Sequence, residues 1–238
     1  IEADEKTKEF HIRLKDETEI IAKSCVIATG GTSHPETGST GDGFVWLKNF
    51  GHKIIDNDFA LVPIALKDAW AKKLSGVVLS EIRLSVFLNG KKEKKLSNRK
   101  GKLLFTHFGI SGPTVLNMSK EVGELLPAGD VVIGLDLFPN IDHGELKKKL
   151  QNLLVAESNK KIKNALGEIV PSAIVSALLE IAGIDGETAS HSVRSEDRKR
   201  LVVLMKNIPL NVDGLLGADK AIVSSGGASL EEINFKTM

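Results

Sequence analysis

The chain has 238 residues, enough for one large or two modest domains at roughly 100–200 residues each. Its 32 Lys+Arg nearly cancel 31 Asp+Glu, and 42% of its residues are hydrophobic, which excludes disorder, a collagen-like repeat and a bulk electrostatic hold on nucleic acid or membrane. One cysteine, Cys25, excludes a disulfide framework and a cysteine-based zinc site.

The first residues include Glu2, Asp4 and Glu5, without a signal-peptide pattern. The most apolar stretch, Ser172–Ile184, is interrupted by Glu180 and is shorter than the ~20 residues of a membrane span. A soluble, cytoplasmic chain is expected. Phe10, Ile12 and Leu14 alternate with polar residues as in a strand, Asp16–Thr18 reads as a turn, and Ile20–Ala22 resumes an apolar run. Cys25-Val26-Ile27-Ala28 is apolar throughout and runs into Thr29-Gly30-Gly31, the pattern of a strand buried on both faces of a parallel sheet. Such a strand needs parallel neighbours reached by crossovers, and no βαβ unit precedes it. Part of the sheet is therefore expected to lie outside this chain.

Residues 41–50 read as a short helix, with Ser39 or Thr40 as N-cap and Gly51 after its last turn. From Lys53 to Leu137 the pattern is mostly strands. Leu84, Val86 and Leu88 alternate into Asn89-Gly90, a type I′ hairpin signal, and Lys91–Lys95 reads as a solvated hairpin arm. Leu103–Phe105 and Val131–Ile133 are further strand candidates. The period then changes. Asp142 and Glu145 predict a capping box ahead of Leu146, Leu150, Leu153 and Leu154. Pro171 is expected at the first helical position of a helix over Ala173–Ile181 closed by Gly183, and Ser195 is expected to cap another that runs through Leu201–Met205. Ile208–Val212 and Ala221–Val223 return to strand character.

The chemical clue is glycine. Gly38–Gly43 has P-loop glycine spacing, but Phe44 and Val45 stand where Lys and Ser/Thr are required, so nucleotide hydrolysis is excluded. A dinucleotide fingerprint on Gly41 and Gly43 fails at Trp46, and Gly109-Ile110-Ser111-Gly112-Pro113 lacks the last glycine of a nucleophile elbow. The six histidines include no i,i+4 pair, so no helical zinc site is expected. Two glycine-rich turns remain. Gly30-Gly31 allows a cofactor to lie close to the backbone, and Thr40-Gly41-Asp42-Gly43 opens a helix whose free N–H groups suit an anionic group. Two tight turns and an ordinary helix start are the plainer alternative.

Cys25–Gly31 followed by Thr40–Gly43 resembles the A-T-G-G…T-G-D-G run of fumarate reductase and succinate dehydrogenase flavoproteins. Across nearly the whole chain, Ala28–Gly43, Leu61–Ile64, Leu104–Pro113 (LFTHFGISGP) and Ile222–Met238 resemble the BaiN/YhiN-type FAD-dependent oxidoreductases, an aminoacetone-oxidase-like, NAD(P)/FAD-dependent family. The resemblance implies an α+β multidomain portion: the remnant of a Rossmann-like FAD domain (1–52), an inserted β-rich, barrel-like substrate domain (53–141), its helical subdomain (142–206) and return strands (207–238). The N-terminal G-x-G-x-x-G unit and a C-terminal flavin-contacting segment are expected to lie elsewhere, so that this portion alone is expected to be inactive.

The family likeness further implies FAD beside Ala28, Thr29, Gly30, Gly31, Thr40, Gly41, Asp42, Gly43, Gly226 and Gly227, with NAD(P)H as a possible electron donor. Asp42 is either an FAD contact or an acidic first-turn residue stabilised by the helix dipole. His107, with Thr106 and Ser111, is the candidate catalytic group, since an imidazole suits proton transfer near neutral pH. Cys25 reads as a small core residue. Lys91–Lys95 and Lys147–Lys149 read as solvated faces matched by nearby acids, so no nucleic acid and no membrane partner is expected. The family likeness implies a small amine or enone-type substrate. A non-catalytic domain and part of a tRNA-modifying flavoprotein are the alternatives.

Overall fold

The computed structural model describes residues 1–4, 6–88, 95–217, 220–221 and 223–236, with backbone alone at 56–60, 95–96 and 224–225. The chain divides into two compact units, Ile1–Ala60 with Gly217–Met238, and Leu61–Leu216.

The first unit begins with an antiparallel three-stranded sheet of β1 (Glu2–Asp4), β2 (Glu9–Arg13) and β3 (Glu19–Ala22). Phe10 pairs with Ala22 and Ile12 with Ile20, in keeping with the alternating pattern. Cys25–Ala28 differs from the expected buried strand: it is irregular, and Val26 is 88% exposed. A strand buried on both faces draws its hydrogen bonds and its cover from neighbours, and among the described residues none pairs with this segment. Helix α1 (Asp42–Asn49) forms where expected, but its N-cap is Gly41 in the left-handed conformation (φ 83°), not Ser39 or Thr40. Strand β4 (Ile54–Ala60) follows.

The second unit is a closed barrel of six strands. Its members are β5 (Ile64–Leu66), β6 (Val78–Leu88), β7 (Lys95–Thr106), β8 (Gly109–Ser111), β9 (Val131–Asp136) and β10 (Ile208–Leu215), in the spatial order β10-β5-β8-β7-β6-β9. Alternate residues line the interior: Leu84 faces Leu135 across β6–β9, Ile64 faces Ile110 across β5–β8, and all four are fully buried. Closure pairs both edges of every strand, which removes the open edge that a flat sheet would present. The backbone N–H of Leu216 donates to the Pro63 carbonyl at 3.1 Å, so the chain enters and leaves the unit side by side. The turn expected at Asn89-Gly90 and the lysines at 91–94 lie outside the described residues.

Two helices accompany these strands, the short α2 (Ala69–Lys73) and α3 (Pro113–Leu125). The latter is a helix that the mostly-strand reading of 53–137 did not single out. Gly112 (φ 99°) turns the chain, Pro113 occupies the first helical turn, and Val115, Met118 and Val122 recur at helical spacing to bury one face.

Between β9 and β10 lie α4 (His143–Ala156), α5 (Ile162–Leu166), α6 (Ser172–Ala182) and α7 (Ser195–Lys206). The capping box forms as the spacing requires: Asp142 accepts from Glu145 N at 2.7 Å, and Glu145 accepts from Asp142 N at 3.0 Å. Gly183 ends α6 at φ 66°. Helix α7 starts at Ser195, but Arg194 occupies the N-cap and no side chain caps it. The buried Lys206 ties α7 to the barrel, donating to Asp136 at 2.8 Å and to the carbonyls of Phe138 and Ile141. The chain returns to the first unit in β11 (Val223–Ala228), antiparallel to β4 and later than the strand expected at 221–223; Ile222 lies outside the described residues.

Candidate functional site

In the first unit the two glycine-rich turns meet. A Cβ added at Gly30 would lie 3.1 Å from Ser39 Oγ, one at Gly41 would lie 2.9 Å from Thr32 Cγ2, and one at Gly43 would overlap Thr29 Oγ1. Gly227 has the same close relation to the Phe44 ring, at 3.1 Å. Absent side chains therefore let residues 29–32 pack onto 39–43, and β11 onto the start of α1. Gly226 and Gly227 both have positive φ (110° and 107°) and sit where the β11–β4 register shifts, as in a bulge. The intervening loop is held locally. His34 Nδ1 lies 2.9 Å from Glu36 Oε1, and the Thr37 hydroxyl donates to the His34 carbonyl. The His34 contact holds the Glu36 carboxyl below the usual carboxylate range.

This arrangement can be tested against the flavin that the sequence resemblance implies. The start of α1 has no side-chain cap, leaving the first N–H groups at Asp42 and Gly43 for an acceptor. Ala28, Gly30, Thr40 and Asp42 are exposed, whereas Thr29 and Gly31 are half-buried and Gly41 and Gly43 are buried. A cofactor wall fits the first set. The glycines at 41 and 43 are explained by turn-on-turn packing, a reason the sequence alone did not separate from close cofactor approach. Near the far end of the unit, Glu232 accepts from Lys53 N and from His52 Nδ1, each at 3.0 Å, and these two bonds lower its pKa.

Thr106, His107 and Ser111 belong to the second unit, on a two-residue hairpin between β7 and β8. Thr106 pairs with Gly109, and its hydroxyl accepts from Gly109 N at 3.2 Å. His107 sits exposed at the tip, its ring edge-on to Phe108 with centroids 4.9 Å apart. Gly109 is required here: its φ is 155°, and a Cβ would lie 2.7 Å from Leu66 N in the neighbouring strand. Ser111 pairs with Leu104 and is half-buried. The hairpin thus presents an imidazole to solvent on a rigid barrel rim.

The helical part carries two kinds of cation. Lys160 pairs with Glu157 and Glu168, while Lys161 and Lys163 both bond Glu187, whose carboxyl is pulled down to about 2 by those two ammonium groups. In contrast, Lys147 on α4 and Arg198 and Lys199 on α7 line a groove of about 190 Å³ and form no ion pair among the described residues. Lys147 appears in the sequence as part of a lysine run, but Arg198 and Lys199 join it only once α4 packs on α7, which no local pattern reveals.

Residues 59–223 match the family described as "HI0933-like protein barrel and H2TH domain". The chain belongs to this family. It is a flavin-associated, oxidoreductase-like family. Among curated relatives, the ribosomal RNA dihydrouridine synthase of Haemophilus influenzae is 30% identical over 240 residues, covering 100% of this chain and 55% of the relative. The enzyme of the same name from Escherichia coli is 26% identical over 215 residues, covering 90% of this chain and 50% of the relative. The chain spans about half the length of the curated relatives it matches.

These names overturn the expectation that nucleic acid is excluded, because both relatives are named for a reaction on RNA. The expectation failed for a physical reason. Net charge is a whole-chain sum, and +1 does not distinguish cations paired with acids, such as Lys161 and Lys163, from cations without an ion pair among the described residues, such as Lys147, Arg198 and Lys199. No helix among the described residues is long and apolar enough to cross a membrane.

Proposed function

We propose that this chain is the barrel-and-helix portion, with part of the FAD wall, of a flavin-dependent enzyme that reduces uridine in ribosomal RNA. The observation that carries this reading is the joint likeness to two ribosomal RNA dihydrouridine synthases, one of them along the whole chain. The motifs at Leu104–Pro113 and Ile222–Met238 support the narrower placement with the BaiN/YhiN type. The relatives' names favour an RNA substrate over the small amine or enone that this likeness implies.

When bound, reduced FAD would supply the hydride that saturates the uracil C5–C6 double bond, with NAD(P)H as the proposed source of electrons. The chain's own contribution is binding and proton handling. Exposed Ala28, Gly30 and Thr40 would form a wall against the cofactor, with the N–H groups of Asp42 and Gly43 offered to one of its acceptors. The packing of Thr29 on Gly43 and of Thr32 on Gly41 would hold that wall's shape, with half-buried Gly31 between them in sequence, and Gly226 and Gly227 supply the bulge on β11 that flanks Phe44. His107 would deliver a proton to the uracil carbon that does not receive hydride, from a hairpin kept rigid by the Thr106–Gly109 bond. Ser111 would orient a carbonyl of the base.

The test is a chimera in which this chain replaces the matching region of the H. influenzae synthase, expressed in an E. coli strain lacking its own enzyme. Dihydrouridine is expected in the ribosomal RNA, and His107→Gln is expected to lower the rate by about 100-fold while flavin stays bound. A folded, flavin-loaded chimera that leaves uridine unreduced would overturn the reading.

A further inference from the structure

We infer that the groove between α4 and α7 is a phosphate-binding site for RNA, with Lys147, Arg198 and Lys199 as its ligands. The inference rests on the proposed RNA substrate and extends it to a place on the molecule. Both helices present cations to one groove, whose floor is the buried pair Leu150 and Val202 and whose rim carries exposed Gln151. No carboxylate lines it.

Several cations elsewhere in the helical part are paired. Lys160, Lys161 and Lys163 each meet a glutamate, Arg200 takes Asp197 at 3.7 Å and the Ala182 carbonyl, and Lys206 is bonded in the interior. The cations of the groove have no such partner among the described residues. Like charges held together without counter-ions repel, so gathering them on two packed helices is costly unless an external anion neutralises them. Ser195, in the uncapped first turn of α7, also lines the groove and offers a hydroxyl to a phosphate, while Glu196 and Asp197 in the same turn offset the field of the helix end. Arg198 is half-buried, which restricts its planar guanidinium to few orientations and suits two-point contact with a phosphate.

The experiment uses the whole 238-residue chain and a fluorescein-labelled ribosomal RNA stem-loop, titrated across a salt series. Lys147→Gln, Arg198→Gln and Lys199→Gln together are expected to weaken binding by at least about tenfold at low salt and to flatten the log–log salt slope by roughly 2–3, near 0.7–0.9 per lost phosphate contact. The control triple, Lys160→Gln, Lys161→Gln and Lys163→Gln, is expected to leave both within about twofold, since those cations are already neutralised. Circular dichroism on both triples confirms that the fold is retained. Equal losses in the two triples, an unchanged slope in the first, or no RNA binding by the parent chain would each overturn the site. So would poly-glutamate binding as tightly as RNA through the same residues, which would assign the groove to an acidic protein. Uridine reduction by the chimera is read separately, so the site can fail while the proposed function stands, and the reverse.

Discussion

The two units divide their labour in opposite ways. The 61–216 unit holds the contiguous apolar core, running from Ile64 through the barrel and helices to Val212. In the other unit Ala221 is the one fully buried hydrophobic side chain among the described residues, and large apolar groups such as Val26, Val45 and Phe235 face solvent. The second unit therefore supplies a scaffold that stabilises itself, whereas the first supplies turns whose form depends on glycine and local bonds. Apolar burial is the dominant stabilising term in folding, so stability resides in the barrel and helices even though the residues proposed to face the cofactor lie in the other unit.

The sharpest way to break this contrast is to remove comparable apolar groups from each side. Phe105→Ala, in the barrel interior, is expected to cost about 3–5 kcal/mol, and Val26→Ala less than about 0.5 kcal/mol, read by urea unfolding. Similar losses would show that Val26 is covered in solution and that the contrast is misplaced.

A second comparison concerns glycine. Gly109→Ala pushes a Cβ into the backbone of β5 and is expected to destabilise by about 1–3 kcal/mol. Gly43→Ala meets the Thr29 hydroxyl, a side-chain tip that can rotate away, so the thermal midpoint should move much less. If Gly43→Ala proves the more damaging in the isolated chain, the meeting of the two turns is more rigid than its contacts imply.

The smallest expected effect is electrostatic. Glu187 has a folded-state pKa of about 2, below the ordinary 4.5, because Lys161 and Lys163 hold it charged. A depressed carboxylate stabilises above its unfolded pKa and loses that contribution as pH falls toward the folded one. The stability difference between the parent chain and Glu187→Gln should be full at neutral pH and vanish between about pH 5 and pH 2. A difference that survives at pH 2 would assign Glu187 a packing role.

What could be read from sequence follows the range of the physics. The alternation in β6, the capping box of Asp142 and Glu145, and the Gly183 stop are local rules, and each forms as expected, whereas Pro171 is the N-cap of α6 and not its first helical residue. Barrel closure depends on pairings such as β10 with β5, between strands far apart in the chain, which periodicity does not encode. Helix α3 was masked because Gly112-Pro113 reads as a turn unless Val115, Met118 and Val122 are counted at helical spacing. Cys25–Ala28 has the composition of a buried strand, but composition does not provide the neighbours that complete one. At the candidate site, spacing located both glycine turns and the family likeness pointed to the His107 segment; neither showed the hairpin that carries His107, that glycine serves turn packing, or that α4 and α7 pool their cations.

One hydrogen bond near the barrel mouth has a wider bearing. Because Leu216 fastens to Pro63, the polypeptide reaches and quits this module through a single doorway. A module with adjoining ends behaves as a cassette: evolution can exchange it between host frameworks with two splices, and new ends can be opened at a distant loop without unravelling the staves.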